Sequence, residues 1–520
     1  MATTVSRTAR VILNAKVALM FYVINLTLQF FSRKIFLDYL GADLLGLNTT
    51  AQNLLQFLNL AESGIGAAVS FALYKPLSQN NRSEINEIIS VQGWLYRWVG
   101  TFIIIGSIIL MAFFPLIFAK ANVPLVYSYG VFSAFLVSVL LSYFVNYKIV
   151  VLSADQQEYK ITIETQRIRL AKVIFQMLLI SHLSYGYVWW IVLEVISSIL
   201  ISLRLIYCIK KEYPWLHADV QRGKSLQKKY VFIVKKIKQL FFHRMSGCIL
   251  TQSTPLVIYV FTNLSEVAIY GNYLVIMSGC LLFINSLFLG FNSGVGNLIA
   301  TSSTKFIKKI FWEITTLRLF VSSIVCSGVL LLSDSFVNLW VGREYIMGNV
   351  PFVLMVSIYF IQMTRTNDVF LSAYGLFHDI WAPIIEILLS LSLSITLGLV
   401  WGLSGILSGV LLSQIVVVNS WKAYFLYRNG FKENTVCEYI ILYTKKVFFA
   451  FVALVITISL RKYLIDIEVF SFTMWILEAL ITTLFYSIVL GCFYLLFDKS
   501  FRTLVILFLQ KEDNLRRLHK

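Results

Sequence analysis

The sequence predicts an all-α, polytopic membrane protein, and three observations carry that expectation. Of its 520 residues, 58% are hydrophobic and 13% charged, whereas a soluble domain carries about 25% charged residues. The mean hydropathy is +0.78, too high for a soluble domain with one anchor. Apolar runs of about 20 residues recur from end to end, each long enough to cross a hydrocarbon core of roughly 30 Å as a helix.

In chain order, hydropathy and charge alternation place fourteen spans at about 14–36, 46–74, 93–119, 124–153, 165–185, 187–210, 240–262, 267–301, 310–337, 350–373, 381–400, 402–428, 441–462 and 472–497. The opening "MATTVSRTAR" is polar and basic and shows no small-residue cleavage site, so no cleavable signal peptide is expected. Lysine and arginine collect in short loops, above all "KKEYPWLHADVQRGKSLQKKYVFIVKKIK" at 210–238. Further clusters are Lys75 with Arg82, then Lys160, Arg167, Arg169 and Lys172, then Lys305, Lys308 and Lys309, and the C-terminal tail. The intervening loops "SYG", "NLSE" and "WGLS" are nearly bare. By the positive-inside rule the basic side is cytoplasmic, and an even span count puts both termini there. The net charge of +18 therefore reflects topology, and no nucleic-acid partner is expected. Gly402, Gly405 and Gly409 open the twelfth span on nearly one face, a pattern that lets helices pack closely.

Several chemistries find no support. The six cysteines are scattered without C-x-x-C spacing, and neither H-E-x-x-H nor G-x-x-x-x-G-K-[ST] occurs, so no metal, no cofactor and no phosphate-loop ATP hydrolysis is expected. No outward loop is long enough for a catalytic domain, and an enzyme is not expected.

The two halves echo each other. "SGIGAAVS" at 63–70 matches "SGVGNLIA" at 293–300, and "VVLSADQQEY" at 150–159 matches "VFLSAYGLFH" at 369–378, at offsets of 230 and 219 residues. The pattern predicts two parallel six-helix bundles with two helices appended. The implied segments are 1–215, a basic linker at 216–239, then 240–430, and 431–520. Transporters built on such repeats often carry substrate between halves that rock against each other.

Polar residues inside spans are costly in hydrocarbon and usually face a cavity or a partner. Candidates for substrate contact are Asn53, Lys148, Arg244, Arg318, Gln362, Arg365 and Asp368. On one continuous helix, Gln362, Arg365, Asp368, Ser372 and Gly375 would share a side. Arg365 and Asp368 either neutralise each other as an i, i+3 pair, or Arg365 meets an anionic substrate group with its planar fork. Arg244 is placed to snorkel to the cytoplasmic surface. Glu62 and Glu386 are candidates for ion coupling, or else cap a helix or accept a tyrosine hydroxyl.

Two long stretches carry a family resemblance. "YLGADLLGLNTTAQNLLQFLNLAESGIGAAVSFALYKPL" at 39–77 and "SEVAIYGNYLVIMSGCLLFINSLFLGFNSGVGN" at 265–297 resemble bacterial polysaccharide flippases of the Wzx type. "LSADQQEY" at 152–159 is similar to that family's fourth-span end, while Ala268 stands where the family pattern has glycine. The resemblance implies membership of the multidrug/oligosaccharidyl-lipid/polysaccharide exporter superfamily, with two lobes forming a V around a cationic cavity. The implied substrate is an undecaprenyl-pyrophosphate-linked oligosaccharide repeat unit, moved across the bacterial cytoplasmic (inner) membrane by alternating access. The last two helices would add a lipid-facing groove for the polyprenyl tail. Membrane lipids and glycan polymerase machinery are the further partners implied. A lipid II flippase is the alternative within the superfamily, and a membrane glycan polymerase or ligase the alternative outside it.

Overall fold

The computed structural model describes residues 7–62, 64–119, 121–376, 379, 381–433, 436–464 and 470–506, without the side chains of 7–12, 15, 61, 238–248, 289–294, 297, 300 and 462–464. Helix α1 (Arg7–Asn59) changes direction at Gly41 (φ 81°, ψ 173°), so it carries the first expected span and opens the second. After a 3-10 turn at Leu60–Glu62, α2 (Ile65–Ser78) completes that second span. Asn81 caps α3 (Arg82–Ala112), its side chain accepting the Glu84 N–H at 3.2 Å, which satisfies one orphan donor of the first turn. The short α4 (Phe114–Ile117) follows. The fourth span is broken into α5 (Leu125–Phe144), a 3-10 turn (Asn146–Ile149) and α6 (Val150–Ala154). Then come α7 (Glu158–His182) and α8 (Gly186–Glu212), with α9 (Gly223–Leu226) inside the basic loop.

Helices α10 (Val231–Phe261), α11 (Leu264–Thr301) and α12 (Thr304–Trp340) carry spans seven to nine. The tenth is broken into α13 (Asn349–Met363) and α14 (Thr366–Ala373). Helix α15 (Trp381–Gln414) holds the eleventh span and the start of the twelfth. That run finishes in π-helical turns flanking α16 (Lys422–Leu426). The appended pair is α17 (Cys437–Leu464) and α18 (Phe472–Phe497). All fourteen expected segments thus fall on helix. Eight helical runs among the described residues are individually long and apolar enough to cross a membrane. α7 is not among them, because polar and basic side chains interrupt its apolar run; with α1 it lines the cavity described below.

The chain forms two compact units that part between Gly271 and Asn272, inside α11. In the first, α7 packs along both α1 and α8, α5 lies against α8, and α10 lies against α1 and α2. In the second, α12 packs on α13, α17 and α18, and α13 packs on α15. Tyr486, Leu490, Tyr494, Ala450 and Ala453 form the seam between the appended helices and their support. Ion pairs Lys446–Asp498 and Arg461–Glu478 pin the two ends of that seam; each has a carboxylate at most 9% exposed, so neither charge is left unpartnered.

Two sequence expectations change at backbone level. Of the three glycines opening the twelfth span, only Gly405 and Gly409 serve close packing: an added Cβ would lie 2.0 Å from Leu397 O and 2.3 Å from Ser394 N. Gly402 has nothing within 4 Å and instead makes the reversal (φ 53°, ψ −132°), a conformation open almost only to glycine. The polar stripe from Gln362 to Gly375 does not lie on one helix, because the helix is interrupted at Thr364 and Arg365. Thr364 Oγ1 donates back to Phe360 O at 2.9 Å, a bond that competes with helix continuation.

The internal echo has a structural counterpart. After Ala154, Asp155 N bonds Val151 O, Gln157 N bonds Leu152 O, and Gln156 takes a positive φ of 60°. After Ala373, Tyr374 N bonds Phe370 O, Leu376 N bonds Leu371 O, and Gly375 takes a φ of 69°. Both are the helix end in which a left-handed residue returns the last N–H groups to carbonyls one turn back. Both close a span already broken once. The other echo is unequal: Gly64 (φ 101°) separates two helical pieces, whereas 293–296 lies within the continuous α11.

Candidate functional site

In the second unit, charged side chains gather at the break between α13 and α14. Arg365 is the N-cap residue of α14, and Asp368 lies in its first turn, where the helix dipole favours a carboxylate. Arg365 Nε approaches Asp368 Oδ2 at 2.8 Å, and Lys422 Nζ from α16 approaches Asp368 Oδ1 at 2.8 Å. One carboxylate therefore serves two cations. Arg318 on α12 is 6% exposed. Its Nε donates to Met363 O at 2.6 Å and its Nη2 to Asn285 Oδ1 at 2.8 Å. The guanidinium thus satisfies a carbonyl that the broken helix can no longer bond internally. Glu386 on α15 is buried and within electrostatic reach of Arg365, Lys422 and Asp368. Gln362 is half-buried in the last turn of α13. Three cations and two carboxylates gather at this break. Tyr439 and Tyr443 of α17 cover the break: Asn367 Nδ2 donates to Tyr439 OH, and Thr364 Oγ1 pairs with Tyr443 OH, each at 3.1 Å.

The first unit holds a polar cavity of about 550 Å³ bounded by α1, α5, α7 and α8. Its walls include Gln29, Arg33, Asn48, Gln52, Arg169, Lys172, Gln176 and Glu194. On α7, Arg169, Lys172 and Gln176 follow at intervals of 3 and 4 residues, which puts them on one face. Lys172 Nζ lies 2.6 Å from Glu194 Oε1, and Gln176 Nε2 donates to the same oxygen at 3.1 Å. Arg33 Nη2 donates to Ala268 O at 3.2 Å. Asn48 Oδ1 accepts Tyr187 OH at 2.7 Å. Three cations against one carboxylate make this cavity suited to an anion.

The sequence-predicted candidates thus part company. Arg318, Gln362, Arg365, Asp368 and Glu386 come together at the α13–α14 break. Asn53 is buried in α1, and its neighbour Gln52, not Asn53 itself, faces the first unit's cavity. Glu62 accepts Tyr96 OH at 3.0 Å and the Gly66 N–H at 3.4 Å, so it both bonds a tyrosine and caps α2. Lys148 lines a separate pocket between α5 and α8. The side chain of Arg244 lies outside the described residues. Sequence reasoning missed Lys422 altogether. It read Arg169 and Lys172 as a cytoplasmic basic cluster, although their helical spacing with Gln176 marks a polar face.

No protein-family model and no curated protein matches the sequence. Among solved structures, the chain is similar to the lipid II flippase MurJ in an inward closed conformation, at a TM-score of 0.63 and 15% identity, covering 93% of this chain and 99% of that one. It is also similar to an inward-facing multidrug resistance MATE family transporter of the MOP superfamily, at a TM-score of 0.57 and 13% identity, covering 81% and 99%. This chain has the all-helical, multi-pass membrane fold that those two transporters share.

Proposed function

We propose that the protein is a flippase for undecaprenyl-pyrophosphate-linked oligosaccharide repeat units, moving them across the bacterial cytoplasmic membrane by alternating access for surface polysaccharide assembly. The observation that carries this reading is the cation-rich cavity of about 550 Å³ inside a membrane-spanning unit. Pyrophosphate needs several N–H donors at once, and Arg33, Arg169 and Lys172 supply them beside amides that can bond sugar hydroxyls. An apolar pocket of about 390 Å³ in the second unit, walled by α12, α13, α15, α17 and α18, suits an isoprenoid chain. Transport of this kind requires no bond to be made or broken, so the protein acts as a carrier and not an enzyme. Both termini then face the cytoplasm, and glycan polymerase machinery receives the product on the outer side.

In cells that lack the protein and carry no substitute, lipid-linked repeat units should accumulate on the cytoplasmic face and surface polysaccharide should disappear. Polymerised glycan still reaching the surface would contradict the proposal. The similarity to MurJ, over 93% of this chain, favours a second reading as a lipid II flippase. That reading requires the protein to restore growth when an essential lipid II flippase is depleted.

A further inference from the structure

We propose that the pocket holding Lys148 is a binding site for the headgroup of phosphatidylglycerol at the cytoplasmic membrane surface. The pocket measures about 590 Å³ and lies between the ends of α5 and α8 and the start of the basic loop. That volume falls in the roughly 300–1,000 Å³ range of ligand sites. Its lining combines apolar Phe144, Leu205 and Ile206 with basic Lys148, Lys210 and His217.

Several neighbouring cations of the first unit are matched to carboxylates: Lys160 to Glu212 at 2.6 Å, Arg204 to Glu164 at 2.9 Å, and Lys229 to Glu87 at 2.6 Å. Lys148 and Lys210 have no carboxylate within ion-pair distance among the described residues, and they lie close enough to repel each other. Two lysines facing one pocket without a counter-charge are stabilised by an anion between them. A second observation narrows the ligand. Asn146 lines the same pocket and is 8% exposed. Its Nδ2 donates to Ser202 Oγ at 2.9 Å, while its buried Oδ1 has no donor among the described residues. A buried acceptor left unpaired is costly, and a hydroxyl on the ligand would satisfy it. Phosphate for the lysines, a hydroxyl for Asn146 and acyl chains against the apolar lining together describe phosphatidylglycerol. Basic pockets between helices at the cytoplasmic side commonly take anionic lipid headgroups. The orientation rests on the positive-inside pattern and not on the transport reading.

The test is native mass spectrometry of the purified full chain, titrated separately with phosphatidylglycerol, phosphatidic acid and phosphatidylcholine. Phosphatidylglycerol should bind most tightly, phosphatidic acid less tightly, and phosphatidylcholine least. The double variant Lys148→Gln/Lys210→Gln should lose roughly 20-fold or more in phosphatidylglycerol affinity. Lys148→Arg/Lys210→Arg should retain it, showing that the pocket survives substitution. Lys211→Gln, an exposed neighbour outside the pocket, should bind like the parent. Equal binding of phosphatidylcholine, or undiminished affinity in the Gln double variant, would overturn the proposal. So would displacement of the lipid by millimolar inorganic phosphate, which would make the site one for free anions.

Discussion

Because Arg365 Nε and Lys422 Nζ each lie 2.8 Å from Asp368, removing that carboxylate would leave two cations facing one another. Asp368→Asn should therefore destabilise the protein more than Lys422→Ala, which still leaves a matched pair. The side chains of Arg365 and Asp368 are 32% and 35% exposed, so the loss should be about 2 kcal/mol and not the 3–5 of a fully buried pair. Thermal unfolding of the purified variants in detergent measures it, and a larger loss for Lys422→Ala would reject the shared-carboxylate arrangement. The i, i+3 pair was legible because spacing along one segment encodes proximity. Lys422 was not, since it lies 54 residues further on and reaches Asp368 only through tertiary packing. Arg318 was visible as an intramembrane charge, but its bond to Met363 O depends on a helix break that hydropathy does not record.

At the scale of elements, helix approach and helix propensity make opposite demands on glycine. Gly409 lies where a Cβ would meet the Ser394 backbone at 2.3 Å, and backbone cannot yield as a flexible side chain can. Gly409→Ala should push the two arms of α15 apart and cost about 1–3 kcal/mol. Gly491, inside α18, has nothing within 4 Å of its would-be Cβ; Gly491→Ala should leave stability unchanged or raise it by about 0.5 kcal/mol. Gly409→Ala should lower the melting temperature and Gly491→Ala should not, and equal destabilisation would contradict the packing of α15. The fourteen helical segments were readable because about 20 apolar residues suffice to span the membrane. The breaks were harder to read. The tenth span is interrupted at Thr364 and Arg365, where Thr364 Oγ1 bonds Phe360 O and Arg318 Nε bonds Met363 O, neither of which alters the hydropathy pattern.

At the scale of the whole chain, the repeated helix end at Ala154 and Ala373 shows that the four-residue echo "VLSA" and "FLSA" reported a shared local structure. Short motifs could carry that signal because the cap needs a left-handed residue two positions after the alanine, filled by Gln156 in one half and Gly375 in the other. The cavity of the first unit was only partly legible. Asn53, beside the lining residue Gln52, stood out as a polar residue in a span, but Arg169 and Lys172 were absorbed into the basic-loop pattern because they lie near one end of theirs.

Arg169 is the most direct probe of the proposed headgroup site, since it lines the cavity and forms no ion pair among the described residues, leaving the fold little to lose. The decisive measurement reconstitutes the full chain in vesicles containing a fluorescent undecaprenyl-pyrophosphate-linked oligosaccharide and follows the rate at which an impermeant quencher gains access to label from the opposite leaflet. The parent protein should accelerate that exchange, and Arg169→Gln should slow it about tenfold, the loss of one charge-assisted hydrogen bond, while unfolding at the parent's temperature. Parent protein that leaves the exchange rate at that of empty vesicles, or Arg169→Gln that flips as fast as the parent, would contradict the account.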